Sequence, residues 1–537
     1  MKRIRWFGFL SLLAAALAVA AFPQQPAVFT ISGTMVAHAT NRPLDGVLVI
    51  VSPNDHPGQR LTMVTGADGR FLFTNLPAAK YSLMAERRGE RQIEAYQGAD
   101  GYSTGVVTGP GMNSVNLIFP LELPGRISGA VIDEDGEPVR QANILLFRRA
   151  VSSGREQTAQ AGQVTTGSSG HFHFSHLPAG TYFVAVQAHP WYAQPRTPGT
   201  PGAENARDLD VAYPVTYYGD TTNGAEAAPI TLAEGGAATV QIALRAVPAI
   251  HVPISGVDGQ QGAQGIIANV SAEGPGGTSI PATANTAGFN NSYELTGLAP
   301  GRYDVQIQSF DRGQSRLISR QTVDLAEGSA LSAQGAASIS VSGRVIFEGP
   351  EHTPKGAGVV LASGNRSFNA AIQEDGTFSF DANPPQPGRY EVYVFNMPGR
   401  YVKSVAVKGA ALSGDTVEIA DGSSVQLSII AGNGAHSKLD GIVLRDGKPV
   451  SAAMVLLVPQ DLNRSLIIRR DQSDSDGTFT LREIPPGRYT LLAIDDGSGL
   501  AYADPAAIQP YLAGGQVIDM PMRDAGPVKV QVVARKR

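Results

Sequence analysis

The chain has 537 residues, too many for one hydrophobic core, so its length alone predicts about three to five domains. A formal charge of −5 and the absence of cysteine argue against a nucleic-acid partner and exclude disulfides, thiolate-held metals and a lipidated N-terminal cysteine. With 61 glycines, 36 prolines, no heptads and many short Val, Ile, Leu, Phe and Tyr runs alternating with polar residues, the composition favours strands.

Lys2, Arg3 and Arg5 precede an apolar run from Trp6 to Ala21, which reads as a secretory signal peptide over residues 1–21. Ala18-Val19-Ala20 supplies small residues for cleavage. The run is short for a bilayer span, which ranks an uncleaved anchor second, and no later segment could cross a membrane as a helix. Removing it leaves 39 basic and 47 acidic residues, a mature charge of −8, and implies export to the periplasm, the cell surface or the medium.

Five units of one repeat follow. The first, 28–122, opens on "ISGTM" (31–35) and carries "DGRFLFTNLPAAKYSLMA" (68–85). The second, 123–247, opens on "ISGAV" (127–131), turns through "DEDGEPV" (133–139) and carries "SGHFHFSHLPAGTYFVAV" (169–186). The third, 248–337, is degenerate: its motif is "NSYELTGLAPGRYDVQI" (291–307) and its nearest opening is "IHVPISG" from Ile250. The fourth, 338–432, has "VSGRV" (341–345) and "DGTFSFDANPPQPGRYEVYV" (375–394); the fifth, 433–537, has "LDGIV" (439–443), "RDGKPV" (445–450) and "DGTFTLREIPPGRYTLLA" (476–493).

An aromatic precedes a tyrosine by ten residues in four copies: Phe71 and Tyr81, Phe172 and Tyr182, Tyr293 and Tyr303, Phe479 and Tyr489. The fourth copy, Phe378 and Tyr390, has two extra residues in its Pro-rich turn. Asp-Gly turns the chain, Phe-x-Phe sends alternate rings inward, Leu-Pro-x-Gly turns it again, and Tyr-x-Val re-enters. Each tyrosine can bury its ring while its hydroxyl finds a backbone partner. The expected fold is all-β: a tandem array of about five immunoglobulin-like or transthyretin-like β-sandwiches.

"ISGAV" with "DEDGEPV" and "GHFHFSHLPAGTYFVAV" resembles the carboxypeptidase regulatory-like domain, a transthyretin-like sandwich related to adhesin B-type domains and starch-binding-like folds. The resemblance spans nearly the whole mature chain. It implies the sandwich fold strongly and function only weakly, because such domains accompany peptidases, receptors and stalks without being catalytic. It also raises the Lys–Asn isopeptide bond of adhesin domains. No lysine lies in the opening strands, and Lys80 occupies the apparently solvent-facing slot of Thr181, Arg302, Arg389 and Arg488, so no crosslink is expected.

The candidate chemistry is sparse, and no metal, cofactor or catalytic motif emerges. His171 and His173 could share a strand face and a metal ion, but the repeat aligns them with outward Arg70 and Leu72, Thr377 and Ser379, or Thr478 and Thr480. His176 falls in a turn slot with Asn75, Gly297 and Glu483, which share no chemistry. Asp474, Asp476, Gly477 and Glu483 have EF-hand-like spacing, but Gln472 stands at the first ligand position and the flanks read as strands.

The one departure from the plain repeat is the Pro- and Gly-rich insertion 189–222, with Trp191, Tyr192, Tyr213, Tyr217 and Tyr218. Flat rings beside Asp and Asn suit sugar binding; packing of the loop on its own sandwich is the plainer reading of the same rings. The expected function is an exported, non-enzymatic binding and spacer protein of the cell envelope, with polysaccharide or another envelope protein as partner. A structural stalk or interaction scaffold is the alternative, with an accessory subunit of an envelope transporter or peptidase third.

Overall fold

The computed structural model describes residues 27–87, 93–94, 101–112, 114–194, 196, 208–256, 265–289, 292–311, 314–333, 339–349, 353–363, 366–381, 383–433, 437–521 and 525–536. The expected signal peptide lies outside them. Buried side chains gather into five main cores, over 31–121, 127–244, 250–333, 339–431 and 439–530. Each lies between two sheets. In the first unit, Arg70–Leu76, Phe29–Ala37 and Leu117–Leu121 form one sheet, and Leu61–Val64, Val47–Pro53 and Lys80–Arg87 form the body of the other. In the fifth, the last strand, Ala525–Val533, pairs with both Ser437–Arg445 and Gly487–Ile494 and joins the two sheets. The structure is all-β in character, with one α-helix among the described residues, Pro505–Leu512.

The repeat motif builds the core as its alternation dictates. Arg70–Leu76 and His171–Leu177 both bury their second, fourth and seventh residues, Phe71, Phe73 and Leu76 in one and Phe172, Phe174 and Leu177 in the other, and turn the residues between them outward. Asn75, His176 and Glu483 then adopt φ values of 59°, 58° and 53°, matching 75° at Gly297. What these residues share is therefore a backbone requirement: the left-handed turn lets the strand bulge before the next leucine or isoleucine re-enters the core.

The opening glycine has a steric cause. Gly129 and Gly343 lie under the rings of Phe172 and Phe378 and beside a parallel strand, so an added Cβ would meet Val240 O at 2.3 Å or Leu427 O at 2.1 Å. The third unit departs here. Its register sets Ile254, not Gly256, opposite Tyr293, and that ring stays half-buried where the sister phenylalanines are covered. In this unit the glycine facing the ring lies on the other neighbouring strand: Gly288 is paired with Tyr293, and an added Cβ there would meet the ring at 3.1 Å, so the opening strand is freed from the glycine requirement.

All five repeat tyrosines donate to the carbonyl four residues upstream: Tyr81 to Pro77 (3.1 Å), Tyr182 to Pro178 (2.6 Å), Tyr303 to Ala299 (2.9 Å), Tyr390 to Gln386 (2.9 Å) and Tyr489 to Pro485 (2.8 Å). Burial pushes the Tyr303 and Tyr489 phenols up to about 12 from 10.0. Below pH ~10 both phenols stay protonated whether folded or unfolded, so their stabilisation is complete there; it is lost as pH climbs from ~10 through ~12. Each contributes about 2–3 kcal/mol by this linkage. Alkaline titration of tyrosinate absorbance should show cooperative unfolding of the third and fifth units in that window. Titration of these tyrosines near pH ~10 with secondary structure intact would contradict it.

The units also pack on one another, and not only on their sequence neighbours. Tyr217 of the second donates to Glu273 O of the third at 3.0 Å, and Gln386 of the fourth donates to Asp304 of the third at 2.8 Å. Arg464 of the fifth lies 3.4 Å from Asp415 of the fourth. The hairpin tip Gly154-Arg155 of the second reaches the fifth, where Ala503 N donates to Gly154 O (2.9 Å) and Arg155 meets both Ser465 and Glu391 of the fourth.

The first unit docks on the fifth. Lys80 Nζ stands 2.6 Å from Asp474, whose other oxygen accepts from Gly105 N at 3.0 Å. Ser475 N donates to Gly105 O at 2.9 Å, Val107 N donates to Ser475 Oγ at 2.8 Å, and Gln472 donates to Thr104 at 2.9 Å. Lys80 thus keeps the solvent-facing position its repeat slot suggested, with its side chain 43% exposed, while its ammonium reaches across the junction to Asp474.

Candidate functional site

The insertion leaves the second sandwich after the strand Gly180–Gln187 and returns to it at the two-residue strand Thr216–Tyr217, which pairs with Val186 and Ala185. That pairing separates its aromatic residues into two groups. Tyr217 is turned away from the second core, onto the outer face of its sheet, and is 0% exposed there among Leu145, Phe147 and Phe183 and against Ile280 of the third unit. It cannot take a ligand; it fastens one sandwich to the next. Tyr218 is half-buried on the second core, and its N–H donates to Val184 O at 3.0 Å.

Trp191 and Tyr192 behave differently. Trp191 is 76% exposed, and its ring stands perpendicular to that of Tyr192 with centroids 5.8 Å apart. The Tyr192 hydroxyl donates to Glu134 Oε1, and the Tyr213 hydroxyl reaches Glu134 Oε2 at 3.4 Å. Glu134 sits in the Asp-Gly turn of the second unit, where Asp133 accepts from Asp135 N and Glu137 N at 3.0 and 2.8 Å. Turn chemistry thus places a carboxylate between two phenols, beside an uncovered indole.

Burial alone would raise the Glu134 carboxyl, but hydrogen bonds from Tyr192, the backbone and Tyr213 together hold it below the usual range. The hydrogen bond to Glu134 pushes Tyr192 up to about 12; burial, then the Glu134 charge, raises Tyr213. At neutral pH the patch presents a fixed carboxylate, two phenols and the indole face. That combination can accept hydroxyl hydrogen bonds and stack on an apolar ring face, and it holds no nucleophile–base pair.

The other candidates have protein partners or stand apart. His171 and His173 project from an exposed strand face opposite Ala130 and Ser128; His171 Nδ1 lies 3.0 Å from Ser169 O. Asp474 is committed to Lys80 and Gly105, and Asp476 accepts from Thr478 N and Oγ1 at 3.0 and 2.6 Å. Among the described residues no group of three or more His, Cys, Asp or Glu is arranged to hold a metal ion. No described helix is long and apolar enough to cross a membrane.

One cluster gave no signal in the sequence. His251, 9% exposed, sets Nε2 2.6 Å from Asp210 and Nδ1 3.2 Å from Glu294, and Arg196 lies 3.7 Å from the same Asp210. It ties the insertion to the third sandwich. The three acidic and imidazole groups come from separate segments, so no spacing could announce them.

Comparison with solved structures finds the minor pilin GBS52 of the gram-positive pathogen Streptococcus agalactiae, at 16% identity and TM-score 0.22, covering 41% of this chain and 96% of that one. The shaft pilin SpaA of Lactobacillus rhamnosus GG matches at 10% and 0.19, covering 41% and 98%. The Bacillus anthracis TIE protein matches at 10% and 0.17, covering 96% and 76%. No curated protein matches the chain. The family model described as "Carboxypeptidase regulatory-like domain" matches residues 30–108 and 126–245. These two matched regions fall in the first and second sandwiches, which carry the carboxypeptidase regulatory-like domain.

Proposed function

We propose that the protein is an exported, non-enzymatic binding protein of the cell envelope that engages a polysaccharide at Trp191, Tyr192 and Glu134. The observation that carries this reading is the 76% exposure of Trp191 beside a carboxylate held in place by two phenols. An indole left uncovered next to fixed acceptors is suited to a sugar, whose apolar face stacks while its hydroxyls donate. Tyr217 and Tyr218 support the loop from behind and belong to the packing.

Binding of the mature protein to an array of cell-wall and capsular polysaccharides tests the proposal. Trp191→Ala is expected to weaken binding by about tenfold or more, the equivalent of ~1.4 kcal/mol, and Glu134→Gln to weaken it further. Unchanged binding in Trp191→Ala, or no polysaccharide bound by the wild type, would overturn it. The interaction-scaffold reading is favoured by a different observation, the first and second units docked on the fifth. Such an arrangement holds surfaces at set angles and does not act as an extended spacer.

A further inference from the structure

The five tyrosine strands share one layout, and one of them lacks a neighbour. Four residues after each repeat tyrosine stands Ala85, Val186, Ile307, Val394 or Ala493. On one side these pair with Val49, Ile144, Ala268, Val359 and Val455. On the other side Ala85 pairs with Ile93, Val186 with Thr216, Ile307 with Ser319 and Ala493 with Val532. Val394 has no second partner among the described residues. The fourth unit's strand Thr416–Ile419 covers only Gly388 to Glu391, and the last bond along that edge runs from Val392 N to Asp415 O at 2.8 Å. By strand alternation the N–H and C=O of Val394 face the same edge, two residues further on.

A cleft of about 760 Å³ opens there, between the fourth and fifth sandwiches, and Val394 and Asp415 both line it. Tyr393 and Leu466 bring exposed apolar surface to its walls. Lys355 and Arg469 bring positive charge. Arg469 is held rigidly, with Nε donating to Glu483 O (2.9 Å) and Nη1 to Leu466 O and Ile468 O (3.1 Å each); no carboxylate among the described residues forms an ion pair with it, and Glu483, which also lines the cleft, offsets part of its charge. Asp415, the buried acid of the cleft, is matched by Arg464.

We infer that this cleft is a peptide-docking site: an extended segment of a partner protein, carrying an acidic side chain, adds as a short strand beside Val394 and Phe395, past the bond from Val392 to Asp415. The occupant follows from the sister units, each of which fills the equivalent edge with a strand of its own. The cleft cations set the charge. Main-chain pairing at an open edge supplies affinity, and alternate side chains supply selectivity.

The probe is a labelled synthetic peptide, Arg-Gln-Ile-Glu-Ala-Tyr-Gln, copying residues 91–97, which include the strand that fills this edge in the first unit. Anisotropy with the full mature chain is expected to show saturable binding, one peptide per chain. A version N-methylated at Ile and Ala should not bind. Arg469→Gln should weaken binding about tenfold and flatten its salt dependence, with circular dichroism confirming the fold. Absence of binding at millimolar peptide, equal binding of the N-methylated peptide, or an unaffected Arg469→Gln would overturn the proposal. So would a Val394 amide already protected from exchange in the free chain, which would mean that the chain itself or a second copy fills the edge.

Discussion

Replacing Gly343 by valine is expected to unfold the fourth sandwich while leaving the other four folded. A Cβ at this position would lie 2.1 Å from Leu427 O and 2.7 Å from the Phe378 ring tip. Neither neighbour can yield. Leu427 belongs to a parallel strand whose register runs unbroken from Ser424 to Ala431, and Phe378 is buried in the core against Phe380 at 6.0 Å. The clash would separate two paired strands or expel a ring, an overpacking cost of about 3 kcal/mol or more. Calorimetry should show one transition moved down or lost. Gly343→Ala should fall between, and Gly58→Ala, with open space around it, should change stability by less than about 0.5 kcal/mol. Native-like melting of Gly343→Val would mean that the glycine is not needed for the Phe stack.

Asp474→Ala is expected to release the first sandwich from the fifth. The Asp474 side chain is 5% exposed; it accepts from Gly105 N and faces Lys80, whose side chain is 43% exposed. Burial raises its carboxyl despite those partners, so the group sits where solvent cannot replace a lost contact. Removing it strands the Gly105 N–H and leaves Lys80 to water. Loss of two charge-assisted hydrogen bonds, partly offset by rehydration of Lys80, weakens the junction by about 3 kcal/mol. Small-angle scattering should report a longer maximum dimension, and proteases should cut within 101–112 faster. Because Lys80 and Asp474 are in direct contact at 2.6 Å, a Lys80→Ala, Asp474→Ala cycle should show coupling of about 1–3 kcal/mol. Zero coupling with unchanged scattering would remove the pair from the junction.

The parts that could be read from sequence are those encoded locally. Period two along Phe-x-Phe and the fixed step from turn to tyrosine announce the sandwich, because both strands and the bond from each tyrosine to the carbonyl four residues upstream lie within one short stretch. Asp504 accepting from Ala506 N, with Pro505 after it, is an ordinary helix start too, but one short helix is passed over in a chain that reads as strands throughout. What escaped sequence reading depends on distant partners. Tyr217 and Trp191 have the same local company of Pro, Gly and polar residues, and only pairing with Val186 and the approach of Ile280 decide which is buried. Lys80 and Asp474 meet across the whole array, and His251 finds acids from two other segments.

The contact between the first and last sandwiches also has a temporal side. Gly105 and Asp474 are 369 positions apart, so the docking face of the first unit is complete long before its counterpart has been made. Each sandwich can fold from local contacts as it emerges, but closure must wait for the fifth and joins units that are already formed. The Tyr102–Val107 edge stays uncovered throughout that interval. A lysine and a short run of backbone polar groups are a safer thing to leave waiting there than a long apolar strand would be, since an unpaired greasy edge invites the wrong partner.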